Sequence, residues 1–562
     1  DTDTGTGTAK QILFGGYQFK DANTTPTTSD TAKDVWAGRS VIGNTTTKNI
    51  LTINGTNHRD AYGGWTAGTG TTAAAKFNST SNTVNLKAGS VRNIYGGFTS
   101  VQSGNATGNN VNISGGSVTG AGNNGNVYGG YLSHASATGS ATGNTITITG
   151  GSMKNVYGGW TAGTGATTGN TVNLGSAANA VASGTTIGTI YGGNKATATD
   201  NTLNVYDSAT ARNIANFDKI NFKATSTHIT VGDTLLTLTT GATNFDWNKL
   251  HVDNLDNLNS SATSDRILTL MHNSSNINLS NYTPTGTRGR IHTNDYEADI
   301  ATDGNSATTQ NVYLKGYRFQ NNTTNYAGGA ATEAWGGRSI IGNKVLNNKL
   351  TLTGGNTSLV ARGGMVENTE RDSYGNYKTT GDAEKNKLFL NTGAQTANAY
   401  GAEVKTKAGS AAENEANLAG GSVGGSLYGA ALTAAGATGN VTKSKVTLTG
   451  GSVTGNVYGG HTIGTGSVTG SDILLGGGSV GGDVYGGFTN GSGATTGNTV
   501  SLGNGTNSSV TNVTGTIYGG NQSADTGNTL NVNTNATAGN IKNFENLKFN
   551  INSSALNAAN PM

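Results

Sequence analysis

The chain has 562 residues, among them 89 Gly, 3 Pro and no Cys, and its 34 Lys+Arg against 31 Asp+Glu leave a net charge of +3. Without cysteine there is neither a disulfide nor a thiolate metal site. No basic run suggests nucleic acid, and no apolar run reaches the ~20 residues of a membrane helix.

Residues 1–10 open as Asp1-Thr2-Asp3-Thr4, a polar extension without a signal-peptide pattern, as expected of a mature or excised segment. From 11 to 224 the tripeptide Tyr-Gly-Gly recurs at Tyr62, Tyr95, Tyr128, Tyr157 and Tyr191, in steps of 33, 33, 29 and 34 residues, with Trp36-Ala37-Gly38 as a near-copy. Each unit carries an alternating piece such as Thr171-Val172-Asn173-Leu174, which reads as a half-buried strand. A Ser-x-x-x-Val-Tyr piece follows, then an aromatic-Thr piece, with glycine pairs expected as corners of positive φ between them. Strands this short hold no sheet alone. Stacked on their copies one period later, they bond above and below. The pattern predicts an all-β fold, a parallel β-helix or β-solenoid with coils of about 27–34 residues, roughly 18 in all.

Residues 225–310 differ in texture. Leu235-Leu236-Thr237-Leu238 and Arg266-Ile267-Leu268-Thr269-Leu270 read as core strands, and Trp247, Leu250, Leu255 and Leu258 as apolar cover for the end of the first solenoid. The stretch is expected to be a junction or capping region. From 311 to 551 the pattern returns. Gly16-Tyr17-Gln18-Phe19 is repeated as Gly316-Tyr317-Arg318-Phe319, and Trp36–Asn44 as Trp335–Asn343. Near the end Asn216-Phe217-Asp218 is repeated as Asn543-Phe544-Glu545. Two tandem super-units follow, 11–224 and 311–551, the second loosened by an insertion near 360–420. Tyr400, Tyr428, Tyr458, Tyr485 and Tyr518 mark its coils in steps of 28, 30, 27 and 33 residues. Residues 552–562 read as a truncated C-terminal tail.

The pattern Gly-Asn-Thr-Val-x-Leu followed by Gly-Gly-Ser-Val-x-Gly-x-Val-Tyr-Gly-Gly, clearest at 440–460 and 470–488, resembles the passenger region of bacterial type V autotransporter adhesins. The closing motif at 216–222 and 543–549, followed by Gly232-Asp233-Thr234-Leu235-Leu236, is similar to those passengers too. The resemblance implies an extracellular passenger at the bacterial outer membrane, attached through a C-terminal β-barrel that this sequence does not contain. It implies partners among host receptors, glycans or other bacteria, and brings no protease motif.

Candidate binding residues are the aromatics after Tyr-Gly-Gly: Trp65, Phe98, Tyr131, Trp160 and Phe488, with Asn194, His461 and Asn521 in the same place elsewhere. Stacked coils would align them as a ladder, either holding sugars or stabilising the solenoid, ending at Asn194 and Asn521. Asp295, Glu297, Asp299 and Asp303 could hold Ca²⁺, but a solvated acidic edge is the expectation. Glu367, Glu370, Asp372, Asp382, Glu384, Glu403, Glu413 and Glu415 make 365–415 the most charged stretch and suggest projecting loops. The seven histidines lack zinc spacing. No catalytic, metal or cofactor residue is assigned, and no ligand-binding residue is fixed.

The sequence therefore reads as a monomeric adhesin segment rather than an enzyme. The alternatives are a passive stalk and, less favoured, a polysaccharide-acting β-helix enzyme, which would need carboxylates converging from neighbouring coils.

Overall fold

The computed structural model describes residues 17–68, 77–122, 124–224, 227–253, 255, 258–283, 291–292, 295–369, 380–503, 511–522 and 525–550. The chain is a nearly all-β parallel β-solenoid of about 16 turns. That is fewer than the roughly 18 expected, and coil length varies widely, from 38 residues between Val360 and Asn398 to 17 between Thr202 and Lys219. Packing divides the chain into two compact units. The first is residues 1–254, 268–284 and 302–313; the second is 255–267, 285–301 and 314–562.

In the first unit the repeats lie in register. Tyr62 pairs with Tyr95, Tyr95 with Tyr128, Tyr128 with Tyr157 and Tyr157 with Tyr191. The alternating piece is a strand of its own. Thr171–Leu174 pairs parallel with Thr145–Ile148 on one side and Thr202–Val205 on the other. Val172 and Leu174 are fully buried while Thr171 and Asn173 are partly exposed, the alternation expected of one buried face. The stack continues past the last Tyr-Gly-Gly: Thr234–Leu238 pairs parallel with Ala209–Ala215, and Leu250–Val252 with Lys219–Phe222. Trp247 and Leu250 are buried here, whereas the buried Leu255 and Leu258 belong to the second unit.

The expected glycine corners hold at one pair and are corrected at the other: Gly151 of Gly150-Gly151 sits at φ 87° between the strands Thr145–Ile148 and Ser152–Thr161. The glycines of Tyr-Gly-Gly are no corner; they lie inside one continuous strand, as in Ser152–Thr161. What they supply is space. A Cβ on Gly158 would stand 2.4 Å from the Gly192 carbonyl oxygen of the next coil, and one on Gly159 2.7 Å from Asn170 Nδ2. The third side of the coil is a two-residue strand such as Ala141–Thr142. A further corner is the Gly-Asn that follows it, with Gly143 at φ 64°.

That corner positions the main polar feature of the interior. Asn49, Asn82, Asn109, Asn144, Asn170 and Asn201 are fully buried. From Asn82 onward each carboxamide oxygen takes the main-chain N–H of the preceding ladder member at 2.9–3.1 Å, while that of Asn49 takes the Ala22 N–H at 2.9 Å. Each Nδ2 also reaches a main-chain carbonyl, as Asn144 does to Ala106 at 3.0 Å. Buried amides are thus satisfied within the ladder. Its last N–H, on Asn201, donates to Asp218 of the closing motif at 3.2 Å.

The second unit repeats the scheme through Asn322, Asn348, Asn386 and Asn414, and again at Asn498 and Asn528, closed by Glu545 accepting from the Asn528 N–H at 2.7 Å. Ser444 and Ser471 interrupt it, both buried and with unpartnered hydroxyls. Ala430, in register with Ala402 and Gly460, replaces a glycine in the coil preceding Ser444.

The residue before each ladder member sits in the left-handed region, and where it is not glycine the backbone is strained. Lys443, at φ 51°, is one case. Its side chain is exposed. Lys443→Gly is expected to raise stability by about 0.5–1 kcal/mol, the relief of strain partly offset by a freer unfolded chain. Chemical denaturation compared with wild type checks this; a loss of stability would contradict it.

Candidate functional site

The aromatic positions singled out by sequence form two adjoining ladders. In the first unit Tyr62, Tyr95, Tyr128, Tyr157 and Tyr191 stack with centroids 4.6–5.2 Å apart and planes within 11° of parallel. Beside them, Phe98–Tyr131 and Tyr131–Trp160 stack at 5.6 and 4.4 Å, while Trp65 meets Phe98 edge-on at 6.0 Å. The two rows meet edge to face, as Tyr128 does with Tyr131 at 4.7 Å. Burial pushes the phenols of Tyr62, Tyr95, Tyr128 and Tyr157 up, so they stay protonated.

This geometry decides what the ladder can do. A sugar stacks on a ring face, and these faces are covered by the next ring. Solvent meets edges and hydroxyls instead. The ladder is therefore first a packing device, each pair adding about 0.5–1.5 kcal/mol. It ends where the sequence places asparagine, for a visible reason. Asn194 clamps Thr161, its Oδ1 taking the Thr161 N–H at 3.1 Å and its Nδ2 donating to the Thr161 carbonyl at 2.8 Å. Asn521 does the same to Thr489, at 3.0 and 2.7 Å.

The second unit keeps the tyrosine row from Tyr400 to Tyr518. Its neighbouring row holds His461 and Phe488, stacked at 5.2 Å, but in earlier coils Arg338, Met365, Glu403 and Ala431 fill those register positions. Charge replaces rings there. Arg362 pairs with Glu403 and, at 3.3 Å, with Glu333. Glu367 takes Arg338 at 2.7 Å and Lys405 at 3.0 Å. Burial opposes ionisation of Glu367, yet Arg338 and Lys405 hold it below the usual carboxylate range.

The expectation of projecting acidic loops is corrected for most of these residues. Glu384, Glu403 and Glu415 lie on coil strands, Glu413 occupies a left-handed corner, and Asp382 accepts from the Ser410 N–H at 2.8 Å. Coil stacking has absorbed the charges by pairing them across strands. Glu370 and Asp372 lie outside the described residues.

The solvated acidic edge is corrected as well. Glu297 is fully buried and Asp299 is 5% exposed. Three donors converge on Glu297: Ser339 Oγ at 2.8 Å, the Ile340 N–H at 2.6 Å and Asn343 Nδ2 at 3.1 Å. Asp295 pairs with Arg318 at 3.1 Å, and Asp303 accepts from Asn311 Nδ2 at 2.6 Å. Among the described residues no group of three His, Asp or Glu could hold a metal ion.

A cavity of about 170 Å³ in the first unit is bounded by Ile214, Ala215, Asn216, Asn244, Asp246 and Lys249. It adjoins the end of the tyrosine row, since Ala215 pairs in register with Tyr191. Its charged groups have internal partners. Lys249 donates to the Phe217 carbonyl and to Asp218, both at 3.1 Å, and Asp246 accepts from the Asn248 N–H at 2.9 Å.

Sequence reasoning missed the asparagine ladder. Its signal was present in the recurring Gly-Asn before each alternating strand, at Gly143-Asn144, Gly169-Asn170 and Gly497-Asn498. It missed the capping acids Asp218 and Glu545 for the same reason: an interior amide row needs a terminal acceptor, which only the row reveals.

The fold is a repeat-built parallel β-solenoid, with paired aromatic rows in the first unit and a tyrosine row beside ion pairs in the second. No family model matches the chain, and no curated protein or solved structure matches it. Among the described residues no helix is long and apolar enough to cross a membrane.

Proposed function

We propose that this chain is a passenger segment of a type V autotransporter adhesin, displayed outside a bacterial outer membrane and binding a host receptor, a glycan or another bacterium. The observation that carries the reading is the long regular coil stack with rows of half-buried ring edges and paired charges. Repeated rings and ion pairs in register suit recognition rather than turnover. They would engage partners through hydroxyls, ring edges and exposed ends of ion pairs, consistent with weak, repeated contacts. The charged groups of the cavity beside Ala215 are committed to internal bonds, so the reading assigns it no catalytic step.

One observation favours the passive stalk as a second reading: the ring faces along the rows, and the carboxylates beside them, already have partners inside the chain. Binding of the whole chain to a glycan array and to host epithelial cells separates the two. Saturable binding to either is the expected result. No binding to either, nor to whole bacterial cells, at protein concentrations of about 100 μM would sink the adhesin reading and leave the stalk.

A further inference from the structure

Two stretches of this chain are copies of each other in different surroundings. Tyr17-Gln18-Phe19 and Trp36–Asn44 recur as Tyr317-Arg318-Phe319 and Trp335–Asn343. Locally they fold alike. The Asn44 N–H donates to Ser40 Oγ at 2.8 Å, as the Asn343 N–H does to Ser339 Oγ at 2.8 Å. Arg39 lies 4.5 and 4.6 Å from the rings of Tyr17 and Trp36, as Arg338 lies 4.8 and 4.6 Å from those of Tyr317 and Trp335.

Their cover differs. Tyr317, Ile340 and Ile341 are 6%, 3% and 2% exposed, and their counterparts Tyr17, Val41 and Ile42 are 45%, 43% and 80% exposed. In the second unit the cover includes Asn368, which pairs antiparallel with Ile341, and the extended stretch around Tyr296-Glu297-Ala298, all three residues fully buried. Its main chain runs against the copied segment: the Phe319 N–H donates to the Asp295 carbonyl at 2.8 Å, and a Cβ on Gly316 would meet the Glu297 carbonyl at 2.1 Å. Its glutamate receives the three donors of Ser339, Ile340 and Asn343 described above. The first unit repeats this residue set as Ser40, Val41 and Asn44, beside the exposed apolar side chains of Tyr17, Phe19 and Ile42.

We propose that the face formed by Tyr17, Ser40, Val41, Ile42 and Asn44 is a docking site for an extended peptide strand that carries a glutamate between an aromatic and a small residue. The main chain of such a strand adds to the coil edge, and its alternate side chains give the specificity. The aromatic and small residues cover Ile42 and Tyr17. The carboxylate takes the hydroxyl, main-chain and amide donors of the Ser-x-x-x-Asn corner, which suit two acceptor oxygens and no cation.

The probe is a fluorescein-labelled synthetic peptide of residues 291–301, titrated with the full chain and read by anisotropy. Saturable binding is expected. The same peptide with Glu297→Gln should bind at least about tenfold more weakly, since charge-assisted bonds are the stronger ones. Ile42→Asp in the chain should abolish binding; because Ile42 is 80% exposed, this variant keeps its fold, which circular dichroism verifies. It also separates this face from exchange into the second unit's own site. No binding at about 1 mM overturns the proposal, as does binding that neither substitution weakens. Sedimentation showing self-association of the chain that Ile42→Asp removes would overturn it in favour of a second copy as occupant.

Discussion

Asn144→Ala is expected to destabilise the first unit by about 4 kcal/mol, far more than an exposed amide in the same coils. The side chain of Asn144 accepts from the Asn109 N–H and from Asn109 Nδ2, both at 3.0 Å, and donates to the Ala106 carbonyl and to Asn170 Oδ1, both at 3.0 Å. Alanine fills none of these roles. The Asn109 N–H and the Ala106 carbonyl lose those bonds in a place that water does not reach, each at a cost of about 1–3 kcal/mol. Asn85 is the control. It accepts from Asn112 Nδ2 at 2.9 Å on the outside of the coil, where water replaces the bond, so Asn85→Ala should cost under about 0.5 kcal/mol. Urea denaturation gives both values, and amide exchange should quicken around 105–113 and 168–175 in the first variant alone. Because a solenoid is stabilised by neighbour contacts, the loss should be felt first by the flanking coils. A cost below about 1 kcal/mol for Asn144→Ala would mean that water enters the ladder, and the account of the interior would fail.

The architecture was legible because its period was written in large residues. Tyr62, Tyr95 and Tyr128 are spaced by one coil and stack ring on ring, so counting between them gave the register directly. What the spacing could not tell was why glycine follows tyrosine. Flexibility and space leave the same letter in a sequence, and at Gly158 and Gly159 the reason is space: a neighbouring carbonyl and a ladder amide occupy the volume a Cβ would need. The asparagines were hidden differently. In a chain rich in Asn and Thr each Gly-Asn looks like an ordinary turn, and only stacking shows that Asn82, Asn109 and Asn144 point inward and bond one another. Charge misled for a related reason. Glu297, Glu367 and Glu403 looked solvated because acids usually are, but their partners Ser339, Arg338 and Arg362 come from other coils, and no local pattern pairs them.

The same logic bears on the surface. A ring ladder invites a sugar-binding reading, but at 4.4–5.6 Å Tyr131 is stacked on both faces and Phe98 and Trp160 each give one face to it. A partner of the kind proposed would then meet edges, hydroxyls and the ends of the stack. Within each unit that shifts attention to places where the repeat is broken, such as Ile42 in the first and the charged coils between Glu333 and Lys405 in the second.

His461 is one such break, and it should make the second unit sensitive to acid. The ring occupies a ladder position, stacked on Phe488 at 5.2 Å and edge-on to Tyr458 at 4.9 Å, and its Nδ1 is buried without a hydrogen-bond partner. Burial alone lowers its pKa from 6.5 to about 4. Between those two values the unfolded chain binds a proton that the folded chain refuses, so stability is complete above about pH 6.5, falls as the pH drops, and levels off below about pH 4. The total loss is about 2–3 kcal/mol, allowing for the ring's partial exposure. His461→Phe would continue the stack with Phe488 and carry no titrating group. Denaturation midpoints at pH 7, 5.5 and 4 should therefore separate, with wild type losing this increment relative to the variant and the remaining acid response, including that of His58 and His251, common to both. Proton NMR of the His461 ring should show no protonation at pH 5.5. Identical pH profiles for the two proteins, or a ring that titrates near 6.5, would place His461 in water rather than in the ladder.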